Sequence, residues 1–248
     1  MSVAIDVERL TAPNPGPMTL AGTNTYVVGR DPAVVIDPGP DDGGHLEAVR
    51  AVAVARGGIG AVLLTHDHSD HSEGVEKLGV APTRPADDEL VGGLRAIATP
   101  GHADEHLCFL LPIADRTDGG TSYVCFTGDL ILGEGSTIVG PRDMGGSLLH
   151  YMESLRRLEG LDLKLLYPGH GPEVHDPRAK IAEYVEHRMM RERRLVAALD
   201  RGERSRAALL AEVWDDVPEP LRGAAAIAME AHLEKLDDEG RLPADLRD

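Results

Sequence analysis

Aromatic residues make up only 3% of this 248-residue chain: one Trp, two Phe and five Tyr. A stacking platform for nucleic-acid bases therefore has little raw material here. Cysteine is scarcer still. Cys108 and Cys125 sit inside the apolar runs HLCFLL and YVCFTG and read as buried thiols without a disulfide partner. No apolar run approaches the length needed to cross a bilayer. The opening MSVAIDVERL has neither the basic start nor the apolar stretch of a secretory signal, so the expectation is a cytoplasmic chain with no membrane partner. Basic charge is also in deficit: 25 Lys and Arg face 42 Asp and Glu, a net charge of −17. That balance argues against a general nucleic-acid binder, whose affinity rests on neutralising phosphates.

What remains is the composition of a globular protein, 42% hydrophobic and 27% charged, long enough for one large domain or a large and a small one. Strand-length apolar runs recur at 25–29, 33–37, 61–65, 94–99, 106–111, 123–128 and 164–169, most of them bounded by Gly, Pro or Asp. Helix-period segments lie between several of them, at 44–56 and at 146–159, where Leu148, Met152, Leu155 and Leu158 keep to one face. The pattern predicts an α/β layered domain over residues 1–177. After Pro177 the text turns helical and charged: a long helix over 178–200, then 209–214 and 218–236, with a short strand expected at the tail. Residues 178–248 are therefore expected to be a linker helix plus a small helical module.

The informative stretch is His66-Asp67-His68-Ser69-Asp70-His71, directly after the apolar run AVLLT. A strand end gains nothing structural from three imidazoles and two carboxylates that must be solvated, paired or metal-bound. Histidine and carboxylate are natural ligands of zinc and related ions. His66, His68 and Asp70 share one parity and can converge on one point, while His71 turns to a second. The spacing predicts two adjacent metals. Further candidates follow other strand-like runs, each beside glycine: His102 in TPGH, Asp129 in TGD and His170 in YPGHG. Paired cations acidify water and take up charge on an attacked carbonyl or phosphoryl oxygen. Asp70 and Asp129 would offset that charge and orient the water.

Read together, HDHSDH, PGH, GD and PGHG, preceded by IDPG at 36–39, resemble the metallo-β-lactamase superfamily. The resemblance implies an αββα sandwich with the metals at one edge. It implies that His66, His68 and His102 hold the first ion and Asp70, His71 and His170 the second. Asp129 would bridge the two, and Asp37 would stand behind the ligands. The expected cofactors are two divalent ions, zinc first, with manganese or iron as alternatives. NPGPMTLAGTNTY at 14–26, YVEHR at 184–188 and HLEKLDDEG at 232–240 are similar to the β-lactamase-like protein 2 subfamily. There a winged-helix-like C-terminal module follows the hydrolase domain, and endoribonuclease action on single-stranded RNA is described.

The expected function is thus a metal-dependent hydrolase. Its most specific version is cleavage of single-stranded RNA, and its alternative is hydrolysis of a small thioester, ester or lactam. An oxidoreductase of the diiron flavoprotein kind fits poorly, because those proteins place an acid where His68 stands. A plain nucleic-acid-binding module is opposed by eleven Lys/Arg against sixteen Asp/Glu in residues 181–248. The arginine run Arg188, Arg191, Arg193, Arg194, Arg201, Arg204 and Arg206 is read first as a solvated helix packed on the catalytic part, and second as an RNA guide. Tyr26 and Thr23-Asn24-Thr25 are candidates for the substrate cleft. His45, His150, His175, His187 and His232 read as surface or packing residues, His106 as a strand-start residue, and Asp67 as solvent-facing. The oligomeric state is left open.

Overall fold

The computed structural model describes residues 6–115 and 119–246. The first half runs β1 (Val7–Thr11), β2 (Asn24–Val28), β3 (Ala33–Ile36), α1 (Gly43–Ala55), β4 (Ile59–Leu63), α2 (Ser69–Ser72), α3 (Val75–Leu78) and β5 (Pro82–Thr83). The second runs β6 (Leu90–Val91), β7 (Leu94–Ala98), β8 (Leu107–Asp115), β9 (Thr121–Gly128), α4 (Leu148–Glu159) and β10 (Leu163–Pro168). Three long segments close the chain: α5 (Pro177–Asp200), α6 (Arg206–Val213) and α7 (Arg222–Asp238).

Two five-stranded sheets, ordered β1-β2-β3-β4-β5 and β10-β9-β8-β7-β6, form the centre. Strand alternation shows how they stack. Tyr26, Val28, Val34, Ile36 and Leu63 of the first sheet meet Leu94, Ala96, Phe109, Val124 and Phe126 of the second in one buried layer. The opposite parity of the first sheet, Val27, Val35 and Val62, packs on Leu46, Val49 and Ala53 of α1. The opposite parity of the second, Cys108, Leu110, Cys125 and Leu166, packs on Leu148, Tyr151 and Leu155 of α4 and on Ile181 and Tyr184 of α5. The result is an αββα sandwich, and both cysteines are buried free thiols.

Helix starts follow from their caps. The side chains of Asp42, Ser147, Asp176 and Ser205 accept from the backbone N–H three residues on, at the heads of α1, α4, α5 and α6. Pro177 adds a preset φ to the first turn of α5. The sheets are joined at one edge by an aromatic trio, Tyr26, Phe126 and Tyr167, with ring centroids 5.0–5.2 Å apart. Burial of each such ring contributes about 1.5–3 kcal/mol. The Tyr26 hydroxyl donates to the Pro168 carbonyl at 2.7 Å, so β2 is fastened to the end of β10, just before His170.

The C-terminal segment has its own apolar cluster, in which Leu195, Leu199, Leu209, Trp214, Met229 and Leu236 take part. The short strand expected at the tail is not there. Among the described residues no strand follows β10, and the tail makes a 3-10 turn at Ala244–Leu246 instead. Leu242 and Leu246 are used as knobs in the helical cluster, which leaves them no sheet edge to extend. The module is therefore helical without a wing among the described residues. No described helix is long and apolar enough to cross a membrane.

Candidate metal centre

Strand ends at one edge of the sandwich deliver the polar residues. β4 leads into Thr65 and His66, β7 into His102, β9 into Asp129 and β10 into His170. Asp37, at the end of β3, is the hub behind them. Its Oδ1 accepts from the Thr65 N–H at 2.7 Å, and its Oδ2 accepts from Thr65 Oγ1 at 2.7 Å and from His71 Nδ1 at 3.0 Å. Asp37 holds φ at 48°, a left-handed conformation that such a web of bonds can sustain. Two glycines make room. A Cβ on Gly128 (φ 47°) would meet Thr65 Oγ1 at 2.5 Å, and one on Gly169 would meet Asp129 Oδ1 at 2.5 Å.

All seven candidate residues come together, in two groups: His66, His68, His102 and Asp129, and beside them Asp70, His71 and His170. Within each group the potential ligand atoms lie within 4.8 Å of one another. His68 Nδ1 is 2.9 Å from His66 Nε2 and 3.0 Å from His102 Nε2. His71 Nε2 and His170 Nε2 are 3.4 Å apart. Asp129 stands between the groups: Oδ1 is 3.5 Å from His71 Nε2 and 3.3 Å from His170 Nε2, and Oδ2 is 3.7 Å from His102 Nε2. Thr23 Oγ1 donates to Asp70 Oδ2 at 3.0 Å, which orients that carboxylate.

Hydrogen bonds on the outer side of each ring decide what the inner nitrogen offers. His102 Nδ1 faces the Ile138 carbonyl at 2.9 Å and His170 Nδ1 faces the Gly22 carbonyl at 3.2 Å; each must donate. His71 Nδ1 donates to the Asp37 carboxylate. Thr65 Oγ1 already gives its proton to Asp37, so it accepts from His66 Nδ1 at 3.0 Å. In four rings the Nε2 lone pair is therefore the atom turned inward, the arrangement that neutral imidazole takes toward a cation. Lone pairs at these separations repel unless positive charge lies between them, and Asp129 Oδ1 is buried with no hydrogen-bond partner. The donor set fits a pair of divalent cations.

The carboxylates among these rings favour positive charge at the inward nitrogens of His71 and His170, whether it comes as protons or as cations. Burial works against charge on His71, but Asp129 and Asp37 outweigh it and raise its pKa well above the usual value. Burial likewise opposes charge on His170, yet the nearby Asp129 and Asp70 carboxylates lift it to about 9. Burial pushes Asp129 up, and His71 and His170 more than reverse that, holding the carboxyl well below the usual range. Burial holds His66 and His102 below the ordinary imidazole value. The carboxylates thus favour positive charge in the His71–His170 half of the site, while His66 and His102 in the other half stay neutral donors.

His68, Asp70, His102, Asp129 and His170 form the floor of a cavity of about 440 Å³, with His66 and His71 buried beside them. Its walls were only partly foreseen. Pro17, Met18, Thr19 and Leu20 come from the N-terminal loop, and Trp214, Val217, Leu221, Ala224 and Ala225 from the C-terminal helices. Tyr26 does not line the cavity. It lies in the layer between the sheets, where its ring has more apolar surface to bury. Asn24 is buried with its amide given to the Pro168 and Gly171 carbonyls, and Thr25 bonds His45; only Thr23 reaches the site, through Asp70. His45 and His232 are buried packing residues, and His106 lies under the His66 ring at 5.3 Å with Nδ1 on Thr99 Oγ1. Asp67 is exposed and paired with Arg84.

His187 and Arg188 also line the cavity, although His187 reads in the sequence as a surface or packing residue. A signal was available. Ile181, Tyr184, Arg188, Arg191, Leu195 and Leu199 follow helical spacing along α5, so both arginines fall on its buried stripe. The rest of the arginine run is paired: Arg191 with Asp216, Arg193 with Glu186, Arg194 with Asp215, Arg201 with Glu212, Arg204 with Asp245 and Arg206 with Glu230. Little of its charge is left for a polyanion.

Comparison with known proteins agrees with this architecture. The model of the metallo-beta-lactamase superfamily matches residues 18–80. The chain is 38% identical over 227 residues to the lactamase-like protein adaB of Aspergillus niger, covering 83% of this chain and 66% of that one. It is 32% identical over 264 residues to a beta-lactamase-like protein 2 homolog of Caenorhabditis elegans, covering 94% and 85%. It is 33% identical over 268 residues to an atrochrysone carboxyl ACP thioesterase of Aspergillus fumigatus, covering 98% and 76%. Among solved structures, a metallo-beta-lactamase family protein from Thermus thermophilus superposes with a TM-score of 0.73 at 25% identity, covering 94% of each chain. Sandwich, clustered histidines and relatives matched over most of this chain converge: it belongs to the metallo-β-lactamase superfamily and is a hydrolase of that fold.

Proposed function

We propose that the chain hydrolyses thioesters of small, largely apolar acyl groups, using His66, His68, His102, Asp70, His71, His170 and Asp129 to hold two divalent ions, zinc first. The observation that carries this reading is the floor of imidazoles and carboxylates under walls of Met18, Leu20, Trp214, Val217 and Ala224. Such a cavity seats an acyl chain and leaves its carbonyl over the polar floor. Bound ions supply acidified water and stabilisation of charge on the attacked oxygen. The chain's own part is positioning. Asp37 and the Ile138 and Gly22 carbonyls fix ring tautomers, Thr23 holds Asp70, and the apolar walls exclude bulk water. We further infer that residues 1–177 form the catalytic unit and residues 178–248 a helical module that completes its cavity.

The relative named as a carrier-protein thioesterase supports the acyl reading. The RNA reading has weaker support, since the arginines it needs are paired or buried. The test is purified protein of measured metal content, assayed on a panel of acyl N-acetylcysteamine thioesters and on a fluorescent single-stranded RNA. Chelator-sensitive thioester turnover with intact RNA is expected. RNA cut while every thioester survives would overturn the proposal.

A further inference from the structure

Arg188 is 4% exposed and lines the cavity, yet among the described residues no carboxylate pairs with it. Its Nη2 donates to the Thr137 carbonyl at 2.5 Å and to Ser136 Oγ at 3.2 Å, and its Nε is buried with no partner. The guanidinium lies 5.3 Å from the centre of the Tyr151 ring. Burial pushes the Tyr151 phenol up and keeps it neutral, so that neighbour supplies a ring and no counter-charge. The contrast with Arg191, one turn along α5, is direct. Arg191 is equally buried but closes two bonds to Asp216, at 2.6 and 2.9 Å. A buried guanidinium without a counter-ion is costly, because the lost hydration is not replaced by a partner charge. Next to it His187, also on the cavity wall, has a buried Nδ1 without a partner.

We propose that Arg188 is an oxyanion subsite: it receives a carboxylate or phosphate carried by the substrate, away from the scissile bond. This rests on the acyl-hydrolase reading for the reaction and adds the substrate class, an acyl thioester with an anionic group. Arg188 is one residue away from the floor, because Thr137 Oγ1 and the Ile138 carbonyl both face His102 Nδ1, at 3.3 and 2.9 Å. The substrate's charge and its reacting carbonyl therefore share one cavity. Guanidinium suits this task because its planar fork matches an oxyanion and its charge persists at every working pH.

Two measurements test it. In the first, wild type and Arg188→Met are compared on thioesters that end in a carboxylate, on neutral thioesters of equal length, and on neutral acyl groups carried by phosphopantetheine. Wild type is expected to favour one anionic series over the neutral one by about tenfold or more, the value of a charged hydrogen bond. Arg188→Met should abolish that preference, and Arg188→Lys should keep part of it. The favoured series tells whether the anion sits on the acyl chain or on the thiol arm. If Arg188→Met slows all series alike with the ratio unmoved, or wild type shows no preference, the subsite is refuted. The second needs no turnover: calorimetric titration of wild type with succinate through suberate, with the matching monocarboxylates, and with phosphopantetheine against pantetheine. Tighter binding of the dicarboxylates or of phosphopantetheine, lost in Arg188→Met, supports the subsite even if no thioester is cleaved. Equal binding of charged and neutral partners refutes it even if thioesters are.

Discussion

The floor of the cavity gathers His68, Asp70, His102, Asp129 and His170 from four loops that follow strands, with His66 and His71 buried beside them, while its wall takes Met18, Leu20, Trp214 and Ala224 from regions near the two ends of the chain. The floor is held by directed bonds: Asp37 to Thr65 and His71, Thr23 to Asp70, Ile138 to His102. The wall is held by contact area, through a cluster in which Trp214, Ala225 and Met229 pack with Leu195 and Leu199. Directed bonds fix atoms to within a few tenths of an ångström, which a reaction centre requires. Apolar contact fixes a volume and leaves its lining replaceable. On the proposed function, chemistry and selectivity are thereby separated within one cavity.

That separation is sharpest at Asp129. Asp129→Asn keeps the shape and removes the charge lying between His71, His170 and His102. Activity is expected to fall on the order of a hundred- to a thousandfold, with loss of bound metal and a cooperative thermal transition retained. Kinetics, elemental analysis and a melting curve on the same preparation check it. Turnover within about tenfold of wild type at full metal content would show that the floor does not depend on this charge.

At the wall the expected effect is smaller and selective. Ala224→Phe narrows the cavity from α7 without touching the floor. The ratio of kcat/KM for long-chain over short-chain thioesters should drop about tenfold, since each excluded methylene is worth about 1–3 kcal/mol. Equal loss on both chain lengths would mean that wall and floor are not separable.

The two regions also differ in how far they could be read from sequence. The clustered residues announce themselves because histidine and aspartate crowded at strand ends, three of them beside glycine, have few structural uses, and the seven candidates from His66 to His170 stand out in that way. The central strands are legible as the apolar runs at 33–37 and 61–65, but which residue faces which layer is not, because Ala33–Ile36 is buried on both faces. β5 and β6, at two residues each, carry too little pattern to be seen. The wall was illegible for a different reason. Leu20 and Ala224 become neighbours of one cavity only through tertiary packing, and alanine in a helix carries no signal of what it faces. Arg188 stands out in the sequence as charge, and its burial follows only from its helical spacing to Tyr184 and Leu195.

The smallest expected effect lies deepest in the wall, at His232 on α7. The ring is 1% exposed, 5.8 Å from Trp214, and neither nitrogen has a hydrogen-bond partner among the described residues. Burial lowers its pKa well below the ordinary value, and Arg188, Lys235, His187 and Arg191 push the same way. Above the unfolded-state value of about 6.5 both states are neutral and the residue contributes no pH dependence. As pH falls below that, the unfolded chain takes a proton that the native state refuses, and stability is lost by up to about 1.4 kcal/mol per pH unit. His232→Phe keeps a flat ring against Trp214 and removes the titration. Melting temperatures of the two proteins should run close together near pH 8 and diverge below 6.5, wild type falling faster by about 2–4 °C for each kcal/mol. His187, held down to about 4 by burial and the same arginines, bends the curve in the same direction in both proteins, so the difference between them isolates His232. Parallel curves across the whole range would mean that the ring is solvated in the native state and that the wall is looser than its packing implies.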